Sequence, residues 1–138
     1  MVGKTKPPTT EEQRRLDTLK NHCPCLPCLL IAREPRLPTI QHVVKGMKRL
    51  GHKQTYSSCI WHHMGLTEDW TRQELMGKLG PSLAHGRRTF EAYFGSETLV
   101  LVPLQDFVLD EFVRLPWIDH NCPHEVRREA RLLWQRIK

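Results

Sequence analysis

The sequence has no apolar segment long enough to cross a membrane. Its longest apolar run lies around residues 99–104, far short of the ~20 residues that a spanning helix needs. The first ten residues, MVGKTKPPTT, lack the apolar stretch of a secretory signal peptide. Internal repeats and low-complexity tracts are absent as well. We therefore expect a one-domain cytoplasmic protein. In the reducing cytosol, clustered cysteines are more often metal ligands than disulfides.

The charge is positive overall and uneven along the chain. The formal net charge is +6, with +7 in residues 1–57, −4 in residues 58–113 and +3 in residues 114–138. A basic front and a basic tail thus flank an acidic middle. This pattern favours a polyanionic partner, although ordinary solvated surface charge would also produce it.

The hydrophobic periodicity predicts a mixed α+β protein. After a basic lead, a helix runs from Thr9 or Thr10 to about Lys20. Residues 38–44 and QTYSS (54–58) read as two antiparallel strands, and Cys59 opens a short helix. Helices follow in residues 71–79, 82–95 and 96–115, where Pro103 begins a new helix, and a last amphipathic helix covers residues 123–138. The predicted core positions of the last part of the chain are Phe90, Tyr93, Phe94, Val126, Ala130, Leu133 and Ile137.

Two pairs of metal-ligand residues flank the predicted hairpin. Cys25 and Cys28 form a CxxC pair, and Cys59 and His62 form a CxxH pair. Three thiolates and one imidazole suit a closed tetrahedral Zn²⁺ site, which predicts a zinc-stapled ββα core surrounded by helices. Two alternatives are buried free cysteines and Cys23 in place of Cys25. Cys122 is expected to be a spare thiol, although His120 and His124 beside it leave a second metal site open.

Three further histidines stand near these pairs in the predicted elements. His42 lies on the first strand, His63 follows the zinc ligand His62 on the helix, and His85 precedes a later helix. A strand histidine that faces a helix histidine across a ββα unit is the arrangement of HNH (His-Me finger) nucleases. In those enzymes a metal ion binds the scissile phosphate and a histidine acts as general base.

Four motifs around these residues resemble those of a known family. The motifs are CLPC (25–28), IQHVVKG (40–46), GHKQTYSSCIWHHMG (51–65) and AHGRRTFEAYFG (84–95). In order and approximate spacing they resemble the phage RecA-dependent nucleases, the Ref recombination-enhancement proteins, over roughly residues 25–112. The resemblance implies that His63 and His85 bind a catalytic ion, Mg²⁺ or another divalent cation, and that His42 is the base. Where the family has two adjacent strand histidines, this chain has Gln41, a weaker ligand, in the first position.

The function that we expect is that of a metal-dependent HNH-type DNA endonuclease. The resemblance implies that it acts on DNA bound by a RecA filament, in a bacterial or phage-infected cell. Basic side chains on the predicted hairpin loop would hold phosphates without sequence preference: Lys45, Lys48, Arg49 and Lys53. The expected organisation is a basic lead and helix in residues 1–22, the nuclease domain in residues 23–113, and a helix packed on it in residues 114–138. The alternative is a non-catalytic zinc-dependent module that binds DNA or RecA, and Gln41 is the residue in its favour.

Overall fold

The computed structural model describes residues 6–34 and 36–138, and it has a mixed α+β architecture. Residues 1–5 of the predicted basic lead lie outside the described residues. The helices and strands follow one another in this order: α1 (Thr10–Asn21), α2 (Leu26–Leu30), β1 (Pro38–His42), β2 (Val44–Lys45), β3 (Lys48–Arg49), β4 (Thr55–Cys59), α3 (Ile60–Met64), α4 (Arg72–Leu79), α5 (Arg87–Phe94), α6 (Val102–Arg114) and α7 (His124–Ile137). The predicted α+β class is confirmed.

The two predicted strands pair as expected. β1 and β4 are antiparallel, with Pro38 opposite Cys59 and His42 opposite Thr55. The first strand ends at His42, earlier than the predicted residue 44, and the buried Val43 separates it from β2. The Val43 N–H donates to Gln54 O, and its carbonyl accepts from Leu50 N. The predicted loop that follows contains a second small hairpin, in which β2 pairs with β3.

Strand β4 is buried along its whole length, although the sheet has only two strands. Its outer edge is covered by α6. There the Gln105 Oε1 atom accepts a hydrogen bond from the backbone N–H of Ser57 and another from its hydroxyl, each 2.9 Å long. A side chain thus replaces the missing third strand for this amide, as a buried strand edge requires.

One apolar core joins the two ends of the chain. It contains Leu19 of α1, Phe90 and Phe94 of α5, and Trp134 of α7, together with residues of α2, β4 and α6. Helix α1 begins at Thr9 with a capping box to Glu12, as the acidic first turn predicted. The C-terminal helix therefore packs on the same core as the N-terminal one.

Three predictions about the later helices need correction. The predicted helix over residues 82–95 is split at Gly86 into a 3₁₀ turn (Leu83–His85) and α5, because Gly86 has a φ of +128°. Tyr93 is 45% exposed, since its ring covers Gly80 at the surface instead of entering the core. On α7 the buried residue after Ala130 is Trp134, whose Nε1 donates to Phe94 O at 2.7 Å, and Ile137 is exposed.

The segment before α6 is helical, with one unexpected feature. Residues Glu97–Leu101 form a π-helical turn that leads directly into α6. Pro103 lies in the first turn of α6, as predicted, where its missing N–H costs little. The π-turn brings Glu97 into the protein interior, where it is 1% exposed.

Helix α3 ends at Gly65, and this glycine allows a close approach by His85. Gly65 has a φ of +71°, and a Cβ there would lie 2.9 Å from His85 Nε2. Gly46 has a similar φ of +64°, but a Cβ there would meet no atom within 4 Å. The two glycines thus share the left-handed backbone and differ in the space around them.

We predict that Gly65→Ala lowers the free energy of unfolding more than Gly46→Ala does. Both alanines bear the left-handed strain, about 1 kcal/mol, but only the alanine of Gly65→Ala must also displace the His85 ring and press on Ala84 Cβ. Denaturant unfolding of the two variants measures the difference. Equal losses would contradict the close approach of His85 to Gly65.

Candidate functional site

Four buried side chains converge on one point beside the sheet. The ligand atoms of Cys25, Cys28, Cys59 and His62 all lie within 4.8 Å of one another. Within residues 6–34 and 36–138 this is the one group of three or more His, Cys, Asp or Glu side chains with such spacing. Cys25 and Cys28 come from the start of α2, Cys59 caps α3, and His62 lies on its first turn. The sequence prediction of this group is confirmed.

The distances within the group match a tetrahedral zinc site. Zn–S bonds of about 2.3 Å and a Zn–N bond of about 2.0 Å place the ligand atoms roughly 3.6 to 3.8 Å apart. The three sulfur atoms lie 3.3, 3.5 and 3.6 Å from His62 Nδ1, and Cys28 Sγ lies 4.0 Å from Cys59 Sγ. The donor set therefore fits Zn²⁺.

A second bond fixes the ring of His62. Its Nε2 donates to the carbonyl oxygen of Leu79 at 2.6 Å, so the lone pair is on Nδ1, the atom that faces the three sulfurs. Trp61 Nε1 donates to the next carbonyl, Gly80 O, at 3.0 Å. Metal-bound histidines usually have such a partner on the other nitrogen. The end of α4 thus orients the ligand helix.

Electrostatics also favours a cation in this group. Burial raises the pKa of Cys25 well above that of an ordinary thiol. Hydrogen bonds from Cys25 and Cys28 lower the pKa of Cys59, so one thiolate is stabilised by its two neighbours. A bound cation would replace the remaining thiol protons and offset the negative charge of the sulfurs.

The other cysteines and the histidines near residue 122 do not join this group. Cys23 lies in the main apolar core, and burial raises its pKa to about 12. Cys122 is also buried in that core, and burial raises its pKa to about 11. His120 Nε2 bonds instead to Lys20 O at 2.9 Å. The alternative ligand Cys23 is thereby excluded in favour of Cys25, and the described residues contain no second cluster around Cys122.

His63, the neighbour of His62, turns toward the sheet. The Thr39 hydroxyl donates to Ser58 O at 2.7 Å and therefore accepts at 2.7 Å from the Nδ1–H of His63. This pattern assigns the free lone pair of His63 to Nε2. Burial lowers the pKa of His63, which favours the neutral ring that a metal ligand needs.

His42 is oriented by a second histidine. His52 Nε2 donates to Lys6 O at 2.7 Å, so its Nδ1 accepts from His42 Nε2 at 3.1 Å. The free lone pair of His42 is then on Nδ1. Burial, and next the nearby positive charge of Arg49, lower the pKa of His42 to about 4. His42 is therefore an uncharged base at neutral pH.

Gln41 faces a buried carboxylate that the sequence reasoning missed. Its Nε2 donates to His42 O at 3.0 Å and to Glu97 Oε2 at 3.4 Å. The same Glu97 oxygen accepts from the Tyr56 hydroxyl at 2.7 Å, and Oε1 pairs with Arg87 Nε at 3.2 Å. Both amide hydrogens of Gln41 are thus engaged, which directs its carbonyl oxygen away from Glu97.

His85 lies on the surface against α3. Its ring packs edge-on against Trp61, with centroids 5.2 Å apart, and close to Gly65. Within the described residues, no hydrogen bond or ring contact joins His42, His63 and His85 to one another. The shared catalytic ion of His63, His85 and Gln41 stays a prediction.

The four basic residues predicted to hold DNA are exposed on the segment between β1 and β4. They are Lys45, Lys48, Arg49 and Lys53. Arg49 is close enough to His42 to lower its pKa, and Lys53 Nζ lies 3.9 Å from Glu11 Oε1. The basic segment therefore flanks the histidine that we expect to be the base.

The structure is thus that of an α+β protein in which a Cys/His cluster able to hold a metal ion lies between a short helix and a two-stranded sheet. Comparison with known families then identifies its relatives. The model of the family described as "Recombination enhancement, RecA-dependent nuclease" matches residues 8–108. The chain belongs to this family, whose description names nucleic-acid hydrolysis and dependence on RecA.

No curated protein and no solved structure matches the chain. Among the described residues, no helix has both the length and the apolar character needed to span a bilayer.

We predict that Cys28→Ala abolishes tight zinc binding and lowers the melting temperature, because structural zinc contributes folding free energy directly. Cys122→Ala is the matched control, since it also removes a buried thiol but lies outside the cluster. Zinc content after dialysis and thermal unfolding measure both effects. Metal-free protein that melts at the same temperature as the zinc-loaded protein would refute a structural role of the cluster.

Proposed function

We propose that the chain is a metal-dependent DNA endonuclease of the HNH type that acts on RecA-bound DNA. The observation that supports it best is the first turn of α3. There His62 faces the Cys cluster while His63 bonds to Thr39 of β1 and keeps its Nε2 free. A closed structural metal site and an open catalytic one can thus share a single helical turn. In this proposal the nuclease domain covers residues 23–113, with residues 1–22 before it and residues 114–138 packed on it.

His42 is the proposed general base. Its Nδ1 would accept a proton from a water molecule, and the water oxygen would attack the phosphorus of the scissile phosphodiester. The bond from phosphorus to the leaving sugar oxygen would break, and that oxygen would take a proton from solvent. His52 orients the ring through the contact to His42 Nε2. The lowered pKa of His42 keeps the base unprotonated at neutral pH.

His63 Nε2, His85 and the carbonyl oxygen of Gln41 are the proposed ligands of a catalytic ion. Such an ion would stabilise the charge that develops on the phosphate oxygens. Two imidazoles favour a transition-metal ion over Mg²⁺, which prefers oxygen ligands. Assays should therefore compare Mg²⁺ with Mn²⁺, Co²⁺ and Ni²⁺.

Phosphate contacts are proposed for the basic segment that flanks His42. Lys45, Lys48, Arg49 and Lys53 would hold the DNA backbone on both sides of the scissile bond, without reading its bases. Their contribution to binding should weaken with salt, as phosphate contacts do.

A non-catalytic DNA- or RecA-binding module is the second candidate. Two observations favour it: residue 41 is an amide, and no described contact joins the three proposed catalytic rings. A nicking assay on plasmid and on RecA-coated DNA with each divalent metal separates the two candidates. Cleavage with any of the metals supports the nuclease, and binding without cleavage supports the module.

We predict that His62 and His63 separate into structure and catalysis. His62→Ala should lose zinc and thermal stability, whereas His63→Ala should keep both and lose metal-dependent cleavage. His42→Ala should also remain folded and lose ~10²–10⁴-fold in cleavage rate, the usual contribution of a general base. His120→Ala is the control, because it removes a half-buried histidine that bonds to Lys20 O and lies outside the proposed site.

Zinc content, melting temperature and cleavage are measured on all four variants. Loss of zinc from His63→Ala would mean that the two histidines have exchanged roles. Cleavage at the parental rate by His42→Ala would exclude His42 as the base.

We further predict that Gln41→His strengthens binding of the catalytic ion. An imidazole at this position could donate one N–H to Glu97, the present partner of Gln41, and offer its other nitrogen to the ion, as metal-bound histidines commonly do. Calorimetric titration of Mn²⁺ into the zinc-loaded protein measures the change. The gain should disappear in the Gln41→His/Glu97→Gln double variant, and weaker binding by Gln41→His with folding intact would show that the site requires the amide.

A further inference from the structure

A cleft of about 290 Å³ lies where the end of α2 meets the first half of α7. Three arginines line it, Arg33 after α2 and Arg127 and Arg131 on α7. We call it the arginine cleft and define it by these three residues. It contains His124 but none of the residues assigned above to the Cys/His cluster, the proposed catalytic site or the basic segment.

Each arginine of the cleft is anchored by a backbone carbonyl. Arg33 Nε donates to Lys78 O at 3.0 Å, Arg127 Nε to Cys122 O at 2.8 Å, and Arg131 Nη1 to Leu29 O at 3.5 Å. A guanidinium has five N–H donors in a rigid plane. One bond to the backbone therefore orients the group and leaves most of its donors available for a ligand.

In the part of the chain that the structure describes, these three arginines form no ion pair. Within the described residues, no carboxylate oxygen lies within 4.0 Å of these guanidiniums, whereas Arg15, Arg36, Arg87 and Arg114 each form an ion pair. Glu34 lines the cleft without pairing. Three like charges held in one cleft repel one another, and a bound anion would relieve this repulsion.

We propose that the arginine cleft binds the phosphodiester backbone of DNA, as a second contact besides the segment of residues 45–53. Planar guanidiniums bind phosphate oxygens in pairs, which suits a backbone contact. DNA is the occupant that we favour because the chain belongs to a nuclease family. The proposal rests on the proposed function only for this choice of substrate. Arg127 and Arg131 lie beyond residue 108, where the family match ends.

The cleft is also linked to the metal cluster. Leu29, which accepts from Arg131, follows directly after the ligand Cys28 on the five-residue helix α2. The same short helix thus contributes to both places. DNA held in the arginine cleft would therefore have a defined position relative to the cluster and to α3.

The test compares two double variants that remove the same charge. Arg127→Gln/Arg131→Gln changes the cleft, and Arg128→Gln/Arg136→Gln changes two exposed arginines of the same helix. Binding of the zinc-loaded full chain to a short duplex is measured by fluorescence anisotropy at salt concentrations from about 50 to about 300 mM. Phosphate contacts weaken over this range. Each lost phosphate contact should reduce the slope of log K against log salt by ~0.9.

The cleft variant should flatten this slope by nearly two such contacts, and the control variant by clearly less. Equal slopes for both variants would overturn the proposal, because the effect would then be general charge. Weaker binding to RecA-coated DNA with unchanged binding to naked DNA would overturn it as well, in favour of an acidic protein partner. If the double variant melts early, Arg33→Gln alone decides, with an expected loss of one contact.

The readout is binding and not cleavage, so it is independent of the nuclease proposal. Protein that binds DNA through the cleft but never cuts it would refute the proposed nuclease function and would support the proposal that the cleft binds DNA. Protein that cuts DNA, with salt slopes unchanged by the cleft variant, would refute the cleft alone.

Discussion

The closed Cys/His cluster is the constraint on which the functional part of the fold depends. Four ligand atoms within 4.8 Å hold the start of α2 against the junction of β4 and α3. The apolar core around them is small, with Trp61, Leu75 and Leu79 as its buried members besides the cysteines. Burial of so few apolar side chains contributes little to the free energy of unfolding of this region. Metal binding would therefore supply much of the free energy that holds α3 in place.

The cluster sets the directions in which His62 and His63 point. Because His62 faces the sulfurs and its other nitrogen bonds to Leu79 O, α3 cannot rotate about its axis. Adjacent residues on a helix point about 100° apart, so His63 must turn away from the cluster, and it meets Thr39 of β1. Loss of metal would remove the constraint at Nδ1 and leave only the bond to Leu79 O. The direction of His63 would then be less well fixed, although His63 is not in the cluster.

The cluster and the hairpin could be predicted because their signals are local. Ligand spacing such as CxxC and the period of two in a strand depend on residues close together in sequence. His52 and Glu97 were missed because their roles depend on tertiary contacts, to His42 and Gln41. One signal for Glu97 was present: it is the one carboxylate between Ser96 and Leu104, in an otherwise apolar stretch. The predicted burial of Tyr93 and Ile137 was wrong because the apolar periodicity of a helix is compatible with more than one buried face. The face is selected by tertiary contacts, which are that of Tyr93 with Gly80 and that of Trp134 with Phe94.

Glu97 fixes the orientation of the Gln41 side chain. A buried carboxylate is costly unless it is paired, and this one has Arg87, Tyr56 and the Gln41 amide as partners. A neutral amide in front of a fixed negative charge offers a carbonyl oxygen whose direction is already set. In the proposed catalytic site, an amide oxygen would thus replace the first of the two adjacent histidines that the resemblance implies, and Glu97 would orient that amide as carboxylates commonly orient metal-bound side chains.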